Sequence, residues 1–365
     1  MHHKAEGAVA PVTAPGSAHG APPGARVASL QVMSYGPDKV EERVVENAEQ
    51  IRDLLGKARV TWVNVDGPAD QAVLAGLGSV FELHPLALED VVNPRQRSKV
   101  EDYGKYLFIV TRMPVAGDRL PTEQLSLFFG SNFVLTFQES PGGDCLDAVR
   151  NRIRRGIGTV RGAGPDHLAY ELVDQVTDSY FPVLESLEKR LDVLEEKILK
   201  GRNDADPMSI HEIKRDLLAV RHTLRPLREA VTFLMREGSA LISQETRVYL
   251  RDCADHVLRM LDQIETDTVL CSDLMNVHLT SVNNRMSEVM KVLTIITTLF
   301  IPPAFIASLY GMNFNPEKSP YNMPELNWFF GYPFALGLMG LLVGGLLFFL
   351  HHKGWLADLF KRRRR

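Results

Sequence analysis

Two stretches toward the C-terminal end, 292–310 and 328–350, contain no charged residue. About 20 apolar residues in a helix cross a bilayer core, so each stretch is long enough to be a membrane span. The competing reading, a pair of buried core helices, does not account for stretches this long without a charge. Pro302 and Pro303 interrupt the first span. Neighbouring helices or water must then satisfy the freed carbonyls. One helical stripe of this span carries Met290, Leu293, Thr294, Thr297, Ile301, Ala304 and Ser308. On periodicity alone it is equally a lipid-facing or a packing stripe.

Upstream, a helical pattern begins near Gln244 and runs to Tyr310, broken only by those prolines. Leu250, Ala254, Val257, Leu261, Ile264, Thr268, Cys271, Met275, His278 and Val282 alternate steps of four and three. That is a heptad seam, the mark of helix–helix packing along a stalk. At 1.5 Å per residue the helix would be about 100 Å long. Further back, Leu184, Leu187, Leu191, Leu194 and Ile198 recur at helical spacing, and Ile213, Leu217, Val220 and Leu224 do the same. The polar segment 201–206 separates them, and Asp206-Pro207 reads as an N-cap followed by a first helical residue. The two helices form an antiparallel hairpin. Its tip mixes Glu195, Glu196, Asp204 and Asp206 with Lys197, Lys200 and Arg202.

Between 29 and 139 the pattern is mixed. β-branched and aromatic runs at 60–65, 106–113, 125–129 and 133–137 predict strands, with a turn at 130–132 between the last two. Pro85 suits the first turn of a helix carrying Leu88, Glu89 and Asp90. The predicted architecture is an α/β or α+β domain, a long-helix stalk and two C-terminal transmembrane helices. The segments are 1–26 (a disordered arm), 27–164 (the α/β domain), 165–243 (the hairpin), 244–290 (the stalk), 291–310 (the first span), 311–327 (a loop), 328–350 (the second span) and 351–365 (a basic tail).

Composition narrows the setting. The chain has 365 residues, a net charge of −4 and 24% charged residues, so most of it is ordinary water-soluble protein. Cys145, Cys253 and Cys271 include no C-x-x-C pair and suit reduced, structural thiols in a cytosolic domain. The arm 1–26 lacks the apolar run of a signal peptide. The tail carries Lys353, Lys361, Arg362, Arg363, Arg364 and Arg365, and Lys291 opens the first span. The loop 311–327 has only Lys318 against Glu317 and Glu325. By the positive-inside rule both termini are cytosolic and the loop is external. His351 and His352 are adjacent on a helix and diverge, so they suit the membrane interface better than a metal. No phosphate-binding loop, H-E-x-x-H or G-x-S-x-G motif occurs, which argues against an enzyme and against transport driven by nucleotide hydrolysis. Neither an organic cofactor nor a nucleic-acid partner is expected. Two spans cannot enclose a pore, so any pore needs several copies around an axis.

The words around the spans are specific. Tyr310-Gly311-Met312-Asn313-Phe314 closes the first span, and Met323-Pro324-Glu325-Leu326, Trp328 and Gly331-Tyr332-Pro333 follow. Glu288-Val289-Met290-Lys291-Val292-Leu293-Thr294 precedes it, and His84-Pro85, Leu88-Glu89-Asp90 and Tyr180-Phe181 lie upstream. Together these strongly resemble the CorA magnesium-transporter family over most of the chain after Ser29.

The resemblance implies a funnel-shaped homopentamer in the cell (inner) membrane. It is a channel for Mg2+, with Co2+ and Ni2+ as further ions, moved inward down the electrochemical gradient. It places Gly311, Met312 and Asn313 at the outer mouth, with Glu325 in the external loop. It puts Met290, Leu293 and Ile301 in a hydrophobic gate, with Thr294, Thr297 and Ser308 on the same pore stripe. It assigns regulatory Mg2+ sites between cytosolic domains, Asp90 with Asp252 for one and Glu89 with Asp174 for a second. On the residues alone, these four acids read as solvated helix surface. Asn276 and Ala304 depart from the acid and Thr that family members often carry. An Asn ring offers carbonyl acceptors to the waters of a hydrated Mg2+ without a fixed charge. The alternative for Asn313 is a simple helix C-cap. Two further readings are a zinc transporter of the ZntB type and a non-conducting membrane-anchored scaffold.

Overall fold

The computed structural model describes residues 29–355 apart from 68–70, 95, 116, 118–119, 140–143, 201–205, 237, 313–317 and 320. The arm 1–26, most of the hairpin tip, Asn313 and the arginines of the tail lie outside the described residues.

The chain divides into two compact units, 1–275 and 276–365. The first is built on a seven-stranded sheet. Its strands are β1 (Ser29–Tyr35), β2 (Val40–Val45), β3 (Val60–Asp66), β4 (Lys99–Asp102), β5 (Tyr106–Pro114), β6 (Thr122–Gly130) and β7 (Phe133–Gln138). Their order is β2-β1-β3-β7-β6-β5-β4. Only β3 and β7 pair in parallel; all other neighbours are antiparallel. The four predicted strands are β3, β5, β6 and β7. The tight β6–β7 hairpin, with Phe129 opposite Val134, falls where the turn was expected. Missed were β1, β2 and β4. Of these β2 and β4 are edge strands rich in Glu, Arg, Lys and Asp, the composition that protects an open edge but hides it from a hydrophobicity reading.

Both faces of the sheet are covered, so the central strands are buried on both sides. Along β5, Leu107, Ile109 and Met113 enter one core, and Tyr106, Phe108 and Val110 enter the other. One face packs α1 (Ala48–Arg52), α2 (Gln71–Phe81) and α3 (Pro85–Val92). The other takes α4 (Asp147–Arg155), α5 (Pro165–Asp178), α6 (Phe181–Leu199), α7 (Pro207–Met235) and the first part of α8 (Gln244–Tyr310). The result is a three-layer α/β unit. Each fully buried Leu, Ile or Phe in it stabilises the fold by about 1.5–3 kcal/mol.

The helix starts follow their caps. His84 precedes Pro85, and its Nδ1 accepts from the Leu86 N–H at 3.2 Å. The carboxylate of Asp206 accepts from the Met208 N–H at 3.0 Å, with Pro207 at the first helical position. The seam of α8 needs one correction. Between Leu250 and Val282 its buried residues are Leu250, Cys253, Val257, Met260, Ile264, Asp267, Cys271 and Leu274. Every second predicted position moves back by one residue, and Ala254, Leu261 and Met275 become the partly buried flank. The steps of three and four survive. The seam shifts because α8 packs into the core of its own chain, where contacts on several sides select a wider stripe than a two-helix seam.

The second unit contains the rest of α8, a 3-10 turn (Pro324–Asn327) and α9 (Gly331–His352). α8 and α9 are the two described helices long and apolar enough to cross a membrane. α8 continues as helix through Pro302 and Pro303.

Candidate functional site

In the first unit, α3 presents Glu89 and Asp90. The Asp90 carboxylate accepts from Gln96 Nε2 at 2.6 Å and from Lys99 Nζ at 2.5 Å. Lys99 also donates to Glu101 at 2.6 Å, and the Tyr103 hydroxyl donates to Glu101 at 2.9 Å. Burial works against the Lys99 charge, but the two carboxylates more than offset it and raise its pKa. Gln124 Nε2 holds the Asp90 carbonyl at 2.9 Å. Asp90 is therefore a positioned carboxylate with a cation already beside it. Glu89 is exposed.

A second acidic group lies between α5 and α8. Asp174 and Asp178 are one turn apart on α5, and Asp252 and His256 are one turn apart on α8. His256 Nδ1 is 3.6 Å from the Asp178 carboxylate, and its Nε2 is 3.6 Å from that of Asp252. Ligand atoms of Asp174, Asp178 and His256 all lie within 4.8 Å of one another. Burial, and then the Asp178 charge, push the Asp174 pKa up to about 6, against the opposite pull of His256. Asp174 Oδ1 is buried and has no partner among the described residues. A divalent cation or one of its waters would satisfy it. Two carboxylates suit a hard cation such as Mg2+, and the imidazole adds a donor suited to cobalt or nickel.

Of the four acids predicted from the sequence, the chain thus joins Asp174 and Asp252 through His256, and seats Asp90 with Gln96 and Lys99. Asp178 and His256 were missed. Their signal was present: Asp174 with Asp178, and Asp252 with His256, share the i, i+4 spacing that puts two side chains on one helix face.

In the second unit, Met290, Leu293 and Ile301 are each more than half exposed in the single chain. The hydroxyls on this stripe bond back to their own helix, Thr294 to the Met290 carbonyl at 2.7 Å and Thr297 to the Leu293 carbonyl at 2.9 Å. They add polarity to the helix surface without leaving an unsatisfied donor. Ser308 is exposed on the same helix. At its end, Gly311 N–H donates to the Ala307 carbonyl at 3.0 Å and Met312 N–H to the Leu309 carbonyl at 3.2 Å. Gly311 does not enter the left-handed region, and a Cβ there would meet the Ala307 and Ser308 carbonyls at an ordinary 3.4 Å.

The glycine that geometry demands is Gly331. A Cβ on it would stand 2.0 Å from the Glu325 carbonyl oxygen. Glu325 lies in the 3-10 turn, and its carbonyl accepts from the Trp328 N–H at 3.2 Å. Trp328 packs on Phe334 of α9, with ring centroids 5.8 Å apart. The motif words after the first span are therefore a folded corner that starts α9.

The model of the CorA-like Mg2+ transporter protein matches residues 57–353. The chain belongs to that family. Across 330 residues it is 40% identical to the cobalt/magnesium transport protein CorA of Thermotoga maritima, covering 90% of this chain and 92% of that one. It is 36% identical over 302 residues to the putative metal ion transporter YfjQ of Bacillus subtilis, covering 82% and 91%. Its fold matches the complete CorA magnesium transporter of Methanocaldococcus jannaschii with a TM-score of 0.74 at 21% identity, covering 89% and 98%. The cytoplasmic domain of ZntB from Vibrio parahaemolyticus shares the fold at a TM-score of 0.56 and 9% identity, covering 71% and 100%. The CorA-like family is one of transporters and not a class of enzymes.

Proposed function

We propose that this chain is one subunit of a homopentameric channel that carries Mg2+, and with it Co2+ and Ni2+, into the cell down the electrochemical gradient. The first span of each copy lines the pore. Met290, Leu293 and Ile301 form rings whose dewetting closes the path, while Thr294, Thr297 and Ser308 polarise the wall between them. Gly311, Met312 and Asn313 stand at the outer mouth, where Asn carbonyls accept from the waters of the hydrated ion, and Glu325 supplies an acid nearby. Both termini are cytosolic. Regulation comes from Asp90 with Asp252, and from Glu89 with Asp174, as Mg2+ sites between neighbouring cytosolic domains. Bound cation offsets the repulsion of facing carboxylates and clamps the closed state; its loss at low internal Mg2+ loosens the clamp.

The observation that carries this reading is the uncharged stripe of α8. It is exposed in the single chain, long enough for a membrane, and has every hydroxyl hydrogen on Thr294 and Thr297 already satisfied. The test is flux into liposomes that contain only this protein. Mg2+ should enter without nucleotide, with Co2+ next, and Asn313→Ala should abolish entry while the oligomer stays intact. A preference for Zn2+ would place the chain with zinc transporters instead, and no flux of any divalent cation would leave a membrane-anchored scaffold.

A further inference from the structure

A cavity of about 420 Å³ opens in the first unit between the β4–β5 side of the sheet and α7. It shares no residue with the Asp174 cluster. Its volume falls in the range of small-molecule sites, roughly 300–1,000 Å³, and well exceeds that of a bare inorganic anion.

The charge of its lining has one sign. Arg97 and Arg112 both contribute, His222 stands on the rim, and no carboxylate lines the cavity among the described residues. The Arg112 guanidinium is fixed by three neutral acceptors. It donates to Thr122 Oγ1 at 2.8 Å, to the Thr122 carbonyl at 2.7 Å and to the Pro94 carbonyl at 2.8 Å. A guanidinium has five N–H groups, so two remain. Glu139, whose pKa burial raises against the opposite pull of the Arg112 charge, lies outside the lining. Arg97 is exposed and has no ion pair among the described residues. Ser98 is 5% exposed, lines the same cavity, and its hydroxyl has no partner among the described residues. Leu120, Val183 and Pro226 contribute apolar surface to the same lining.

We propose that this cavity binds a small organic phosphate, with the phosphate on Arg97 and Arg112 and the apolar body against Leu120, Val183 and Pro226. Two arginines without a carboxylate match a dianion better than a singly charged group. A phosphate monoester carries about −1.5 to −2 charges at neutral pH, whereas a carboxylate carries one. The remaining Arg112 N–H groups suit the paired oxygens of a phosphate, and the Ser98 hydroxyl supplies a further donor at the buried end. The apolar surface of Leu120, Val183 and Pro226 then needs a body that inorganic phosphate lacks.

The experiment is calorimetry on the full-length protein in detergent, in buffer free of magnesium so that chelation contributes no heat. The probes are AMP, adenosine and inorganic phosphate. AMP is expected to bind more than about tenfold tighter than either fragment, the value of one further charge-assisted or apolar contact set. Arg97→Glu, a change at an exposed residue with no described hydrogen bond, should weaken AMP by at least about tenfold through reversal of that charge. Ala219→Phe, on the exposed face of α7 that borders the cavity, should block AMP by filling the space. Thermal melts of both variants should match the parent, which separates loss of binding from loss of fold. Absence of AMP binding at millimolar concentration would overturn the proposal. So would adenosine or phosphate binding as tightly as AMP, or AMP binding unchanged in both variants.

Discussion

Gly331 and Asp174 show how single residues bear on this protein. At Gly331 the obstruction is backbone: the Glu325 carbonyl, 2.0 Å from where a Cβ would sit, cannot swing aside as a side chain would. Gly331→Ala should therefore destabilise the corner before α9 by about 1–3 kcal/mol, the usual cost of overpacking, and lower the melting temperature of the detergent-solubilised protein. Gly311→Ala, with an ordinary contact at the same carbon, should melt close to the parent. Asp174 acts through its charge. Its pKa in the fold is about 6, above the ordinary 3.8, so the native state binds the extra proton between those values. Stability from this group is thus present at low pH and declines as pH rises from about 4 to about 6. Asp174→Asn should flatten that part of a stability–pH curve. A proton and a cation compete for the same oxygen, so Co2+ affinity measured by calorimetry should fall as pH drops through about 6, and the Asn variant should bind more weakly with a shallower pH dependence.

Among the elements, α7 tests the reading of caps. Asp206 accepts the Met208 N–H and would leave that donor to water if replaced. Asp206→Ala should cost about 0.5–2 kcal/mol, seen as a lower denaturation midpoint with an unchanged slope. The cap, the proline after it and the periodic leucines of α6 and α7 are local signals, which is why this hairpin was legible from the chain alone. The α8 seam was only half legible. Its repeat is written in the spacing, but which of two adjacent residues turns inward depends on what packs against the helix. Cys253 and Met260 win over Ala254 and Leu261 because α8 packs into the core that holds α5, where Thr177 meets Cys253 at 3.5 Å. The strands β2 and β4 were not legible, since edge strands carry charge along sequences that otherwise resemble loops.

For the whole molecule, the predictions concern topology and assembly. The loop between the spans should be external, so a cysteine at position 319 in place of Ser319 should react with a membrane-impermeant reagent on intact cells. Reaction only after lysis would reverse the orientation. The second concerns the cation clamp. Millimolar Mg2+ should protect α8 of the assembled protein from protease, because a ligand that binds one state stabilises it by mass action. With Asp90→Lys and Asp252→Lys together, that protection should no longer respond to Mg2+. Full Mg2+-dependent protection in the double variant would move the sensor to Glu89 and to the Asp174, Asp178 and His256 cluster.

By itself the sequence determined what depends on neighbours along the chain. It marked two uncharged spans, because crossing a bilayer requires one long run of apolar residues. It marked the long helix, the proline at the start of α3, the cap of α7, and four of the seven strands, because helix and strand periods are written locally. It carried the family words from Tyr310 to Pro333 and located Asp90, Asp174 and Asp252 as acids. Only the tertiary structure decided that Asp178 and His256 join Asp174 and Asp252, since that cluster needs α5 and α8 to lie side by side although about 75 residues separate them. It alone showed that Gly331 and not Gly311 is the glycine that sterics require, since the obstructing oxygen comes from a turn six residues earlier. The same holds for the cavity beside Arg97 and Arg112. Distances between residues remote in sequence are set by packing, and no pattern read along one dimension contains them.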